Sequence, residues 1–212
     1  MLRKVLIAAL LTGTASVSFA GDNWNGFYAG VSLGAGSYSA DFNDRDDWYD
    51  NQGLNGDTDV ATNFGVQAGV NFQADSFVYG VELGYSRFNA KSQGLPWDDA
   101  ALTAELDSTI SLKGRVGMAS GNNLFYVAAG PTWAKTTFTA TDSGPVASGD
   151  SKTLGISIAA GIERKFNSNW SGRLQVEQTS FETSDLAVST GNDRFSHDDQ
   201  LMNVTLGVSY NF

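Results

Sequence analysis

The sequence predicts an all-β fold, a closed eight-stranded antiparallel transmembrane β-barrel, on three observations. First, Leu201 to Phe212 places Met202, Val204, Leu206, Val208, Tyr210 and Phe212 on one parity and Asn203, Thr205, Gly207, Ser209 and Asn211 on the other. This period-two run of about a dozen residues is long for a soluble sheet and suits a tilted bilayer crossing. Second, seven more alternating segments precede it, joined in turn by short turns and long polar stretches, which is the even-stranded plan of a membrane barrel. Third, the polar parity is rich in Gly, unlike a solvent-facing surface, so the apolar face points to lipid rather than inward as in a lipocalin-type barrel or a sandwich.

The first 20 residues stand apart. Arg3 and Lys4 form a basic start, Val5 to Leu11 a short apolar run, and Ser18-Phe19-Ala20 offers small residues where a signal peptidase reads. A signal peptide at 1–20, cleaved after Ala20, is therefore expected, leaving 21–212 as the barrel domain. An anchor helix needs about 20 apolar residues, and Thr12, Thr14, Ser16 and Ser18 dilute this run too early.

The first strand alternates Phe27, Ala29, Val31, Leu33 and Ala35 with Tyr28, Gly30, Ser32, Gly34 and Gly36, before a polar stretch from Asp41 to Asp59. The second sets Phe64, Val66, Ala68, Val70 and Phe72 against Asn63, Gly65, Gln67, Gly69 and Asn71, and turns at Gln73 to Ser76. The third sets Phe77, Tyr79, Val81, Leu83 and Tyr85 against Val78, Gly80, Glu82, Gly84 and Ser86, before a long segment from Asn89 to Ala104. The fourth carries Leu106, Ile110, Leu112, Val116 and Met118 outward against Asp107, Thr109, Ser111, Lys113, Arg115 and Gly117, and turns at Ser120 to Asn123. In the fifth, Phe125, Val127, Ala129, Pro131 and Trp133 oppose Tyr126, Ala128, Gly130, Thr132 and Ala134, and a long segment follows around Thr139 to Lys152. The sixth places Leu154, Ile156, Ile158, Ala160, Ile162 and Phe166 against Gly155, Ser157, Ala159, Gly161, Glu163 and Lys165, and turns at Asn167-Ser168-Asn169. The seventh has Trp170, Leu174 and Val176 against Arg173, Gln175, Glu177 and Thr179, and Phe181 to Asp199 leads to the terminal strand.

Turn lengths check this assignment. A turn of even length flips the inward parity and one of odd length keeps it. Inward residues are odd before Gln73 and even after Ser76, odd before Ser120 and even after Asn123, and odd on both sides of Asn167 to Asn169. Phe72, Phe77, Phe125, Phe166, Trp170, Tyr210 and Phe212 all fall on the apolar parity beside the short turns, as an interfacial aromatic girdle would. Short turns at one end and four long loops at the other match bacterial outer-membrane barrels, with periplasmic turns, extracellular loops and both termini in the periplasm.

Composition sets further bounds. There is no Cys, which excludes disulfides, a lipidated cysteine and thiol catalysis. The formal charge of −10 includes Arg3 and Lys4, so the chain beyond the leader is near ~−12, which argues against nucleic acid as a partner.

The chain resembles the small eight-stranded outer-membrane barrels grouped as OmpA-like, opacity-like or surface-antigen porin-family proteins. The matching residues are Trp24-Asn25-Gly26-Phe27-Tyr28-Ala29-Gly30, Gly114-Arg115-Val116-Gly117, Gly161-Ile162-Glu163, Arg173-Leu174-Gln175-Val176-Glu177 and the terminal Phe212. The resemblance implies a Gram-negative outer-membrane protein inserted by the barrel-assembly machinery, which reads the terminal strand with Phe212 as its signal. Relatives act variously as envelope-stabilising, adhesive or haem-binding surface proteins.

The inward polar set is Gln67, Glu82, Lys113, Arg115, Glu163, Lys165, Arg173 and Glu177. Turn lengths put Glu163 opposite Arg173 and Gln67 opposite Glu82. Side chains fill an eight-stranded barrel, and an aqueous channel takes about 16 strands, so a structural plug is expected ahead of a small pore. No catalytic residue, metal or cofactor is expected.

Asp41, Asp44, Asp46, Asp47, Asp50, Asp57 and Asp59 around Arg45 read as a solvated acidic loop without EF-hand order. Trp48, Tyr49 and Leu54, with Trp97 and Phe195 on other loops, suit an adhesive or ligand-binding tip, for instance toward host surface molecules. His197 is the only histidine, and haem ligation there is the sharper alternative to simple exposure. Ser196 and Asp198 flank it, but neighbours on an extended chain point apart, so a lipid A modifying enzyme is the least favoured reading. On the lipid face, Arg164 can snorkel and Arg87 can meet lipopolysaccharide phosphates, while Pro131 predicts a bulge. The expectation is a non-enzymatic outer-membrane protein of structural and surface-interaction type, serving envelope integrity or acting as a surface antigen or adhesin.

Overall fold

The structure is a computed structural model describing residues 23–44, 54–55, 59–97, 100–141, 147–181, 184–187 and 194–212. Eight long strands make the barrel: β1 Gly26–Asp44, β2 Asp59–Ala74, β3 Phe77–Trp97, β4 Ala100–Ser120, β5 Asn123–Thr141, β6 Ala147–Lys165, β7 Trp170–Phe181 and β8 Arg194–Asn211. Short strands Leu54–Asn55 and Ser184–Ala187 extend the edges of β1 and β8 at the loop end. Sequential strands pair antiparallel, and β1 also pairs with β8 from Tyr28↔Asn211 to Asp44↔Phe195, so the sheet closes on itself.

The register fixes the barrel's shape. Following paired residues round the sheet from Phe27 through Val70, Val81, Gly114, Ala129, Ile158, Gln178 and Met202 returns to β1 at Ser37, ten residues beyond the start. With eight strands about 4.8 Å apart and a rise of about 3.3 Å per residue, that stagger tilts the strands by roughly 40° and sets a backbone radius of roughly 8 Å.

The alternation resolves inside out. Phe27, Leu33, Phe77, Leu83, Val116, Ile158 and Leu206 are all more than half exposed, while Asn71, Glu82, Arg115, Glu163, Ser171 and Arg173 are each 5% exposed or less. Phe72, Phe77, Phe125, Phe166, Trp170, Tyr210 and Phe212 are exposed beside the turns, with Trp170, Tyr210 and Phe212 linked edge to face at 5.2 and 5.1 Å.

The turns are tighter than the sequence reading expects. Ala74 pairs with Phe77 and Ser120 with Asn123, leaving two-residue tips with Asp75 at φ 53° and Gly121 at φ 54°, the left-handed region that Asp and Gly tolerate. The tighter first turn moves Gln67 opposite Gly84 and puts Gly69 opposite Glu82, so Gln67 and Glu82 do not face each other. Glu163 does pair with Arg173.

Two further expectations are corrected. Leu106 points into the barrel and is fully buried, because Asp107 is an extra residue between the pairs Leu106↔Thr136 and Ser108↔Lys135 and reverses the parity above it. Asp107 is held by the Thr137 hydroxyl at 2.8 Å and the Lys135 ammonium at 3.7 Å. Pro131 makes no bulge: Ser111↔Thr132 and Gly114↔Ala129 share one register, so its missing amide only opens the ladder locally.

The strands also run into segments read as loops. β3 and β4 are each 21 residues long. At that tilt such a strand rises roughly 50 Å, about twice the ~25 Å apolar band of a membrane barrel, so the hairpins project well past the bilayer on the loop side.

Candidate functional site

Alternation turns Glu82 of β3, Arg115 of β4, Glu163 of β6 and Arg173 of β7 into one layer of the lumen. Arg173 Nη1 donates to Glu82 Oε2 at 2.6 Å, and its Nη2 lies 3.9 Å from Glu163 Oε2. Arg115 Nη2 donates to Glu163 Oε2 at 3.0 Å, and its Nη1 lies 3.8 Å from Glu82. The four side chains thus form a closed ring in which each charge faces two opposite ones. Tyr28 threads it, donating to Glu82 at 2.8 Å and accepting from Arg115 at 3.0 Å, while the Ser171 hydroxyl donates to Glu163 Oε1 at 2.6 Å. The Arg115 guanidinium stacks 4.1 Å from the Tyr126 ring centre. One layer further, Lys113 pairs with Glu177, which also accepts from Gln175 Nε2 at 2.8 Å, and Tyr126 donates to Gln175 at 2.9 Å. Three carboxylates thus meet three cations, while Arg115 Nε and Arg173 Nε and Nη2 make no hydrogen bond among the described residues.

Glycines make room for this layer. Tyr28 pairs across the ladder with Gly69, Arg115 with Gly80, Tyr126 with Gly161 and Arg173 with Gly207. In a tube of this radius a large inward side chain needs a small neighbour, which explains why the polar parity is Gly-rich.

Apolar layers lie on both sides. At the turn end, Trp24, Val78, Leu124, Tyr126, Ala128 and Ala159 form one buried cluster. At the loop end, Tyr38, Ala61, Phe88, Leu106, Ala134, Phe181 and Leu201 form another. Between the loop-end cluster and the charged ring is a polar cavity of about 50 Å³, bounded by Gln67, Glu82, Ser111, Lys113, Arg173 and Asn203 among others. Gln67 Nε2 and Asn203 Oδ1 have no protein partner there among the described residues. That volume suits a few waters.

Of the predicted lumen residues, Glu82, Lys113, Arg115, Glu163, Arg173 and Glu177 come together, Gln67 lines the cavity instead, and Lys165 sits at the turn-end mouth, donating to the Asn23 carbonyl at 2.5 Å. Trp48 and Tyr49 lie outside the described residues, as do the side chains of Trp97 and His197. The His197 backbone pairs with Phe42 and Ser184. Sequence reasoning missed Tyr28 and Tyr126 as members of the network, although both stand on the polar parity, and it missed the two apolar seals.

The family model described as "Outer membrane protein beta-barrel domain" matches residues 5–212. A 22 kDa outer membrane protein of Rhizobium leguminosarum bv. viciae is 30% identical over 197 residues, covering 89% of this chain and 79% of that protein. The crystal structure of the outer membrane protein OprG from Pseudomonas aeruginosa is similar with a TM-score of 0.58 and 17% identity, over 90% of this chain and 97% of that one. The outer membrane protease OmpT from Escherichia coli is similar with a TM-score of 0.55 and 9% identity, over 93% and 99% of the two chains. Likeness at such identities shows the fold alone.

Proposed function

This chain belongs to the outer membrane β-barrel family and is an outer-membrane protein of a Gram-negative envelope, and from that premise we propose that it is a non-enzymatic structural and surface-interaction protein with a closed lumen. One observation carries the reading: a charge-matched ring, Arg115, Glu82, Arg173 and Glu163, lies between two buried apolar clusters. Charges bonded to each other are poor ion ligands, and an apolar layer on either side is a barrier to hydrated ions. Each buried carboxylate of the network is also engaged by a cation, which speaks against a free general acid or base there. The fold-level likeness to a protease carries no activity across.

The surface role rests on hairpins reaching roughly 25 Å beyond the apolar band on the loop side. Trp48, Tyr49, Trp97 and His197, in segments that the sequence reads as loops between the strands, are the proposed contacts for host surface molecules or haem. In this reading residues 1–20 are removed as a leader, the turns and both termini face the periplasm, Phe212 serves the assembly machinery, and Arg87 meets lipopolysaccharide at the outer rim.

The test is reconstitution of the full chain into planar bilayers, with heat-modifiable gel mobility as proof of folding. A folded barrel without stepwise conductance supports the closed reading; steady single-channel steps would replace it with a small pore.

A further inference from the structure

We infer that Asn23-Trp24-Asn25-Gly26 is a stopper that folds back into the turn-end mouth of the barrel and seals it. Trp24 lies outside the barrel strands, yet it is 2% exposed and belongs to the buried cluster with Val78, Leu124, Tyr126, Ala128 and Ala159. A residue before a strand would ordinarily trail into solvent. Gly26 redirects it: its φ of +121° is open to Gly and strained for other residues, and a Cβ there would lie 3.2 Å from the Phe212 carbonyl.

The mouth is built to receive this segment. Gln73 Oε1 accepts from the Trp24 backbone N–H at 2.7 Å, and the Gln73 N–H donates to Asn25 Oδ1 at 2.6 Å. From the opposite side of the mouth, Lys165 Nζ donates to the Asn23 carbonyl at 2.5 Å and stands 5.0 Å from the Trp24 ring centre. Asn23 Oδ1 in turn accepts from the Asn25 backbone N–H at 2.9 Å, closing the segment into a compact turn. The indole N–H finds no acceptor among the described residues, so the ring acts here by bulk and by its face toward Lys165.

These contacts give separate tasks to the residues of the Trp24-Asn25-Gly26-Phe27-Tyr28 run. Trp24 is the stopper, Asn25 its latch, Gly26 the bend, Phe27 the first lipid-facing side chain and Tyr28 the first member of the charged network. Lys165, the inward cation that the network does not use, is the stopper's seat.

The chain has no Cys, so one introduced thiol reports the seal. Val78 is buried in the same cluster as Trp24 and pairs across the ladder with Gln73, whose side chain holds the Trp24 backbone. The full chain carrying Val78→Cys is folded into detergent, checked by heat-modifiable mobility, and exposed to a charged water-soluble maleimide. Slow reaction is expected with Trp24 or Trp24→Phe, and at least tenfold faster reaction with Trp24→Ala. Lys165→Met, which keeps most of the barrel wall, is expected to speed labelling in the same direction. If Trp24→Ala does not fold, the Lys165→Met comparison decides. Equal labelling rates with and without the change, or fast labelling in the presence of the native Trp24, would overturn the stopper.

Discussion

Tyr126 of β5 faces Gly161 of β6 directly across the ladder, and a Cβ at Gly161 would sit 2.6 Å from both Cζ and Oη of the tyrosine. Tyr28 and Gly69 repeat the arrangement between β1 and β2, with the Cβ position 2.5 Å from the Tyr28 hydroxyl. Each tyrosine hydroxyl is aimed into the charged network from the place the glycine leaves. Moving either ring therefore moves a hydrogen bond of the plug as well.

Gly161→Ala is accordingly expected to destabilise the barrel by about 1–3 kcal/mol, the usual cost of overpacking a filled interior. Gly114→Ala is the control: it faces outward, its nearest neighbour to a Cβ is at 3.9 Å, and it should change stability by no more than about 0.5 kcal/mol. Urea unfolding midpoints of the two variants in lipid vesicles give the comparison. Equal effects would show that the ring can rotate away at little cost.

Arg173 serves both carboxylates of the ring, so its loss leaves Glu82 and Glu163 sharing Arg115 alone. Arg173→Met should cost about 3–5 kcal/mol, the range for breaking a buried ion pair from one side. Removing the charge pair with Arg173→Met and Glu82→Gln together should recover part of that loss. The wild-type midpoint should also change little with salt, because buried pairs are weakly screened. A marked fall in stability by 0.5 M salt would place the network in contact with bulk water.

The parts legible in the sequence were those written in period two. Strand count, the lipid-facing set, the girdle from Phe72 to Phe212 and the Glu163↔Arg173 pair all follow from alternation and turn length. What alternation could not show was any residue added to or removed from the ladder. Asp107 turns Leu106 inward without leaving a sequence mark, and the two-residue tip at Asp75 moves Gln67 away from Glu82. The loop-end seal escaped for related reasons: alternation puts Leu106 on the lipid face, Phe88 lies past the end of the third alternating segment, and Phe181 opens a stretch that reads as a loop. Trp24 escaped because its role depends on a backbone bend at Gly26 rather than on a pattern.

Leu206 lies near the middle of the β8 crossing and is 65% exposed, whereas Phe212 sits at the turn-end rim. A charge on the lipid face is most costly at the bilayer midplane, so Leu206→Arg should destabilise by about 2–4 kcal/mol and Phe212→Arg by about 0–1 kcal/mol. Both are measured by urea-driven unfolding from vesicles. Similar costs at the two positions would contradict this placement of the barrel in the membrane.

The order of layers along the lumen yields a prediction about conduction. Trp24 closes one apolar cluster and Phe88 helps close the other, but the Arg115, Glu82, Arg173 and Glu163 ring lies between them. Opening one end exposes the ring to water without providing a path, since a permeating ion must still displace side chains that neutralise each other. Trp24→Ala and Phe88→Ala should each leave planar-bilayer conductance at the wild-type level, although Trp24→Ala admits reagents to the turn-end mouth. Conductance should appear when both seals are opened in a chain that also carries Arg173→Met, because only then is every layer breached. Steady channels from Phe88→Ala alone would show that the loop-end cluster was the barrier and that the ring already conducts, and the plug reading would then fail.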